Sequence, residues 1–138
     1  MPASCLFCAI ASGEVPAALV IETDDVVGFL DHRPLFKGHT LIVPRAHHVT
    51  LTDLPAELLT SIFTAAQRLA AVMPAELDAQ GTFVAMNNIV SQSVAHAHVH
   101  VVPRTKGDGL RGFFWPRTKY AEGEAEEHAA RLRAAYGA

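Results

Sequence analysis

Residues 93–104 read Ser93-Val94-Ala95-His96-Ala97-His98-Val99-His100-Val101-Val102-Pro103-Arg104. In an extended chain successive side chains point to opposite faces. A strand over 97–102 therefore turns Ala97, Val99 and Val101 to one side and lines His96, His98 and His100 along the other. Three readings of the imidazole side stand together: rings that are merely hydrogen-bonded, rings that chelate a metal ion, and rings that do chemistry on a phosphate. The first costs the desolvation of several titratable groups for no gain in packing. The third has a chemical rationale, because imidazole near its own pKa is a good nucleophile toward phosphorus and a covalent intermediate splits one hard displacement into two easier ones. Flanking imidazoles, backbone N–H groups and the side-chain donors of Gln92 and Ser93 would then neutralise oxyanion charge.

Working outward, 82–86 reads as a further strand, separated from the histidine row by the polar stretch 87–93. Upstream, 5–12 reads as a short helix closed by Gly13, and Leu19–Glu22 and Val26–Leu30 as strands joined by a turn at Asp24-Asp25. The loop 31–37 carries Pro34 and delivers Gly38 and His39 at the head of a strand over 40–43. Leu58, Leu59, Ile62, Phe63, Ala66, Leu69 and Ala70 recur at helical spacing behind Pro55, which predicts one long amphipathic helix that Pro74 should kink or end. The segment 121–135 alternates Glu, Ala and Arg like an exposed terminal helix. Four or five strands with one inserted helix predict an α+β fold built on an antiparallel sheet, not a parallel nucleotide-binding sheet. Neither G-x-G-x-x-G nor a P-loop is present.

A chain of 138 residues, half of them hydrophobic and 18% charged, suits one compact domain over 1–138, with a core about 4–104 and a C-terminal extension about 105–138. The net charge of -3 offers no basic footprint for nucleic acid and no polybasic membrane anchor. Short apolar runs and the absence of a charged leader predict a cytoplasmic protein. Cys5 and Cys8 are the only cysteines, too close in sequence to staple a fold. Their C-x-x-C spacing is ambiguous between metal and redox use.

The stretch 92–104 resembles the signature of the histidine triad family of nucleotide hydrolases and transferases. Other blocks fall where that family has them: Cys5-Leu6-Phe7-Cys8, Phe29-Leu30-Asp31, Gly38-His39-Thr40-Leu41-Ile42-Val43-Pro44 and Leu51-Thr52-Asp53-Leu54. The resemblance implies a homodimer whose sheets join across the interface, and cleavage at the α-phosphate of a purine nucleoside phosphate derivative. Phosphoramidates, adenylates and dinucleoside polyphosphates all qualify as substrates. It makes His98 the nucleophile that forms a nucleotidyl-histidine intermediate, with His100 on the phosphate, His96 orienting the nucleophile and His39 completing the site. Asp31 takes the position that holds the ribose hydroxyls; His32, beside it in sequence, is a candidate for the border of the base pocket or for a surface position. Asn87, Asn88, Ser91, Gln92 and Ser93 fall in the nucleotide-binding loop, where Ser91 stands in place of a glycine. A non-catalytic nucleotide-binding or zinc-stabilised module is the alternative reading.

The same resemblance implies a structural zinc on Cys5, Cys8, His47 and His96, with His48 as the rival of His47, and no organic cofactor. Arg104, Lys106 and Arg111 are candidates for distal phosphates. Phe113, Phe114 and Trp115 are candidates for stacking on a base or for burial, and His128 for a solvent-facing position.

Overall fold

The computed structural model describes residues 4–111 and 117–137; Phe113, Phe114 and Trp115 lie outside them. The elements are α1 (Leu6–Ala11), β1 (Leu19–Glu22), β2 (Val26–Leu30), β3 (Thr40–Pro44), a 3-10 turn (Leu51–Asp53), α2 (Ala56–Leu77), β4 (Gly81–Ala85), β5 (Val99–Arg104) and α3 (Glu124–Tyr136). The chain forms two compact units, Met1–Asp108 and Gly109–Ala138. The first holds every strand together with α1 and α2. The second holds α3, a helix with no buried residue.

The five strands form one antiparallel sheet in the order β1-β2-β3-β5-β4. All five residues of β3 are buried, as its central place demands. Alternation splits the apolar residues between two layers. Val26, Ile42, Val99 and Val101 face α2 and pack on Ile62, Ala66 and Met73. Val27, Phe29, Leu41 and Val43 face the other way and pack on Phe7 and Ala11 of α1. Each such side chain contributes about 1.5–3 kcal/mol by leaving water. α2 has the length and, at a mean hydropathy of 1.2, the borderline apolarity of a membrane span. Its packed face on the sheet, centred on Ile62, Ala66 and Met73, accounts for part of that apolarity, while Phe63, Val72 and Leu77 are exposed.

Four expectations need correction. Helix α2 does not end at Pro74 but runs on to Leu77, because proline removes a single intrahelical donor and the carbonyl of Pro74 is used at once by the helix end. There Asp78 adopts a left-handed conformation at φ 53, and the N–H groups of Asp78 and Ala79 both donate to that carbonyl. Phe63, expected on the packed stripe, is 41% exposed. Strand β5 begins at Val99 instead of Ala97, because Ala97 N–H donates to the carbonyl of His48 at 2.7 Å and not to a neighbouring strand. The pairing with β3 then starts at Val99 opposite Ile42. Strand β4 likewise starts one residue early, at Gly81 opposite Arg104.

One close approach ties the helix to the loop before β3. Gly38 has φ +103, and a Cβ built on it would meet Leu77 Cδ1 at 2.3 Å. The left-handed φ favours glycine there, any side chain would in addition have to push the tip of Leu77 aside, and the residue so placed is the one before His39.

Candidate functional site

The loop that ends at Gly38 is closed on itself. Asp31 N–H donates to the carbonyl of His39 at 2.9 Å, and His39 N–H to the carbonyl of Phe36 at 3.0 Å. Within it Leu35 N–H points at His39 Nδ1, 3.1 Å away. A backbone N–H can only donate, so His39 Nδ1 is the acceptor and Nε2 carries the proton. That proton meets His100 Nδ1 at 2.9 Å, which assigns the His100 proton to its Nε2. His100 therefore presents an N–H donor at Nε2 that has no partner among the described residues.

His98 is oriented in the opposite sense. Its Nδ1 lies 2.8 Å from the carbonyl of His96, and a carbonyl can only accept, so Nδ1 holds the proton and Nε2 the lone pair. The side chain is 2% exposed. Its Nε2 has no hydrogen-bond partner among the described residues, yet no fully buried side-chain nitrogen or oxygen there lacks one. The rings of His98 and His100 sit 5.0 Å apart between centroids, with the Nε2 of each left without a hydrogen-bond partner among the described residues. A lone pair and an N–H donor thus belong to neighbouring rings, a pairing suited to attack on a phosphorus whose oxygens need a donor.

Burial disfavours charge on these rings. It holds His39, His96 and His98 below the ordinary histidine range, and pushes His100 down to about 4, with the charges of His98 and His39 acting in the same direction. Asp31 borders the group, with Oδ2 3.8 Å from His39 Nε2 and Oδ1 accepting Arg33 N–H at 2.9 Å. The side chain of His32 is 85% exposed, 3.8 Å from the same carboxylate.

A second cluster adjoins the first through His96. Its Nδ1 lies 3.4 Å from Cys5 Sγ, 3.4 Å from Cys8 Sγ and 3.2 Å from His47 Nδ1, and Cys8 Sγ lies 3.3 Å from His47 Nδ1. A hydrogen bond selects one partner, whereas this nitrogen faces three at nearly equal range. Tetrahedral zinc, with Zn–S of about 2.3 Å and Zn–N of about 2.0 Å, separates its ligand atoms by roughly 3.3–3.8 Å. The four residues fit that ion, and they supply the Cys2His2 donor set of a closed structural site. His96 Nε2 donates to the carbonyl of Pro44 at 2.8 Å, the outer-shell contact that frees Nδ1 to act as a ligand. Burial and the adjacent Cys5 raise the Cys8 thiol to about 11, so metal uptake must expel a proton there. Asp31, His39 and His100 also converge, but Leu35 N–H keeps the proton of His39 on the nitrogen that faces the other two. That group is hydrogen-bonded, not chelating.

The loop candidates are engaged with each other and with the connector behind β3. Asn88 Oδ1 accepts Leu51 N–H at 2.7 Å, Gln92 Nε2 donates to the carbonyl of Val49 at 2.6 Å, Gln92 Oε1 accepts Ile89 N–H at 2.9 Å, and Asn87 Nδ2 donates to the carbonyl of Ser91 at 3.3 Å. Ser91 and Ile89 take left-handed conformations at φ 63 and φ 71. Ser93 is exposed. Arg104 is engaged by Asp108 through Nε at 2.6 Å and Nη2 at 3.0 Å. Lys106 and Arg111 are exposed. His48 stands outside the cysteine cluster, contributing its carbonyl to Ala97, and His128 Nδ1 meets the carbonyl of Glu124 at 2.9 Å on α3.

Sequence reasoning missed the main-chain supports at Leu35, Pro44 and His96, which no side-chain pattern reports. It also missed Phe7, whose ring stands edge-to-face with His98 at 5.0 Å and 87°; its place inside C-x-x-C was the available signal.

Comparison with known proteins gives a consistent picture. The model of the HIT domain family matches residues 12–107. An uncharacterised HIT-like protein of Mycobacterium tuberculosis is 42% identical over 108 residues, covering 77% of this chain and 75% of its own. The adenosine 5′-monophosphoramidase HNT1 of Saccharomyces cerevisiae is 38% identical over 118 residues, 84% of this chain and 72% of its own. The crystal structure of a zinc-bound histidine triad family protein from Mycobacterium smegmatis superposes with a TM-score of 0.74 at 38% identity, over 96% of this chain and 97% of that one.

Proposed function

The chain belongs to the HIT domain family, and from that premise we propose that it hydrolyses a purine nucleoside phosphate derivative at the α-phosphate, through a nucleotidyl intermediate on His98. The observation that carries the reading is the hydrogen bond from His98 Nδ1 to the carbonyl of His96 at 2.8 Å, which leaves an uncharged lone pair on Nε2. An adenosine phosphoramidate is the favoured substrate, in keeping with the activity for which the yeast relative is named.

In the first step the Nε2 lone pair of His98 attacks phosphorus. A P–N bond to the ring forms, and the bond to the leaving nitrogen breaks. The leaving group departs with the bonding pair and takes a proton from water. The positive charge now on the ring is spread toward Nδ1–H, which the His96 carbonyl already accepts. In the second step a water oxygen attacks phosphorus from the side vacated, its proton passes to solvent, and the lone pair returns to Nε2. The products are AMP and the free amine. His100 Nε2–H donates to a phosphate oxygen throughout, and His39 holds His100 in that tautomer. Asp31 receives the ribose hydroxyls, while His32, Asn87, Asn88, Ser91, Gln92 and Ser93 border the nucleotide. Zinc on Cys5, Cys8, His47 and His96 would supply cross-linking of the N-terminal segment to the site and no electrophile. The active form is a homodimer joined through sheet edges, where β1 and β4 each have one neighbouring strand among the described residues.

The test is release of AMP from adenosine 5′-phosphoramidate, with a diadenosine polyphosphate in parallel. His98→Ala should lower turnover by ~10³-fold or more while nucleotide affinity persists. No AMP from either substrate with fresh wild-type protein would refute the hydrolase reading and favour the nucleotide-binding module.

A further inference from the structure

The four-ligand cluster does more than hold a segment beside the site, because the residue enclosed by its two cysteines touches the nucleophile. Cys5 caps the N-terminus of α1, and its Sγ accepts the N–H of Cys8 at 3.4 Å. Phe7 sits on the intervening turn, so its position follows wherever the two sulfurs are held. The ring is 4% exposed. It meets His98 at 5.0 Å and 87°, His96 at 6.0 Å and 72°, and Phe29 at 5.3 Å and 69°. Those are edge-to-face arrangements, the geometry in which aromatic rings attract and restrict each other.

Two supports therefore converge on His98, and both start in the same cluster. One is the His96 carbonyl, fixed because the His96 ring is gripped at Nδ1 by the cluster and at Nε2 by Pro44. It holds one edge of the nucleophile by a hydrogen bond. That bond alone leaves the imidazole free to rock about it. The second support is Phe7, braced by Phe29 from β2, which closes off the rocking motion. We infer that Phe7 is a positioning residue for the His98 ring, and that metal binding by Cys5, Cys8, His47 and His96 is what anchors Phe7 there. The inference rests on His98 as the nucleophile only where turnover is concerned. A misplacement of about 1 Å in a reacting group costs as much as ~10²-fold in rate, so partial loosening of one ring should read as a loss near tenfold.

The experiment compares zinc-loaded wild type, the same protein stripped with a chelator and then reloaded with zinc, and zinc-loaded Phe7→Leu, which keeps an apolar side chain without the ring. The primary readout is the imidazole ¹⁵N spectrum of His98, recorded above the ordinary histidine pKa range. Wild type should show one fixed tautomer with the proton on Nδ1. Stripped protein should show averaged nitrogen shifts, Phe7→Leu should keep the Nδ1-protonated tautomer but show displaced and broadened ring resonances from an imidazole free to rock, and reloading should restore the wild-type pattern. With adenosine phosphoramidate, Phe7→Leu should lose about tenfold in kcat with KM within about twofold, at unchanged zinc content. An identical His98 spectrum in stripped and reloaded wild type overturns the role of the metal. An identical spectrum in wild type and Phe7→Leu overturns the role of the ring. If Phe7→Leu itself fails to hold zinc, the stripped and reloaded wild-type pair still decides. Absence of turnover in wild type would sink the hydrolase reading and leave the spectral comparison intact.

Discussion

Acid should destabilise this fold through His100. Its ring is partly buried between His39 and His98, and its pKa falls from 6.5 to about 4. In the unfolded chain it titrates near the ordinary value. Above about pH 6.5 neither state is protonated and the difference contributes nothing. As the pH drops below that value the unfolded state gains a proton that the native state refuses, so native stability is lost progressively until the native ring itself titrates near pH 4. Between about pH 7 and pH 4.5 the loss integrates to at most ~2.4 kcal/mol, and partial solvent access lowers the expectation to about 1–2 kcal/mol. The assay is urea denaturation followed by circular dichroism, on wild type and on His100→Gln, whose amide oxygen still accepts the proton of His39. Taking the difference between the two proteins cancels the titration of carboxylates and of the cysteine cluster. The wild-type value should fall toward acid by about 1–2 kcal/mol more than that of the variant. Equal slopes would refute the claim that this ring is held neutral by its surroundings.

Three further outcomes are expected. Gly38→Ala combines a strained φ of +103 with a methyl 2.3 Å from Leu77 Cδ1, and should cost about 1–3 kcal/mol in urea unfolding; Leu77→Ala in the same chain should recover only the part due to the clash. Ile89→Gly should stabilise by about 0.5–1 kcal/mol, because a β-branched residue at φ 71 is relieved while its side chain, 78% exposed, surrenders little burial; a lower melting temperature would contradict this. Metal titration with a colorimetric chelator should give about one zinc per chain for wild type and for His48→Ala, and much weaker retention for His47→Ala.

The strands on either side of Asp24-Asp25 were legible to the residue, since alternation and turn chemistry are local. The five-stranded antiparallel architecture followed from them and from the periodicity behind Pro55. One failure was local and another was set by a contact between distant segments. Pro74 carries a strong local signal to stop a helix, yet the turn after it is completed by its own carbonyl and by Asp78. The onset of β5 was misplaced because the partner of Ala97 is a carbonyl on the connector after β3, a fact invisible to a period of two. At the site, residue types and spacing pointed to the histidines and cysteines that the fold gathers. The tautomers depended on the backbone groups at Leu35, Pro44 and His96. Those groups exist at every position of a chain, so only the folded geometry reveals which of them face a ring.

That last feature has a bearing on how the protein tolerates genetic drift. Three of its imidazoles take their bearings from amide groups at residues 35, 44 and 96, and codon changes leave those groups in place. An alanine scan would pass over such supports, whereas exchanging the Leu35 amide for an ester by chemical synthesis would delete one cleanly. A distant substitution that shifted the main chain at these residues would therefore alter the tautomers while leaving every site side chain in place.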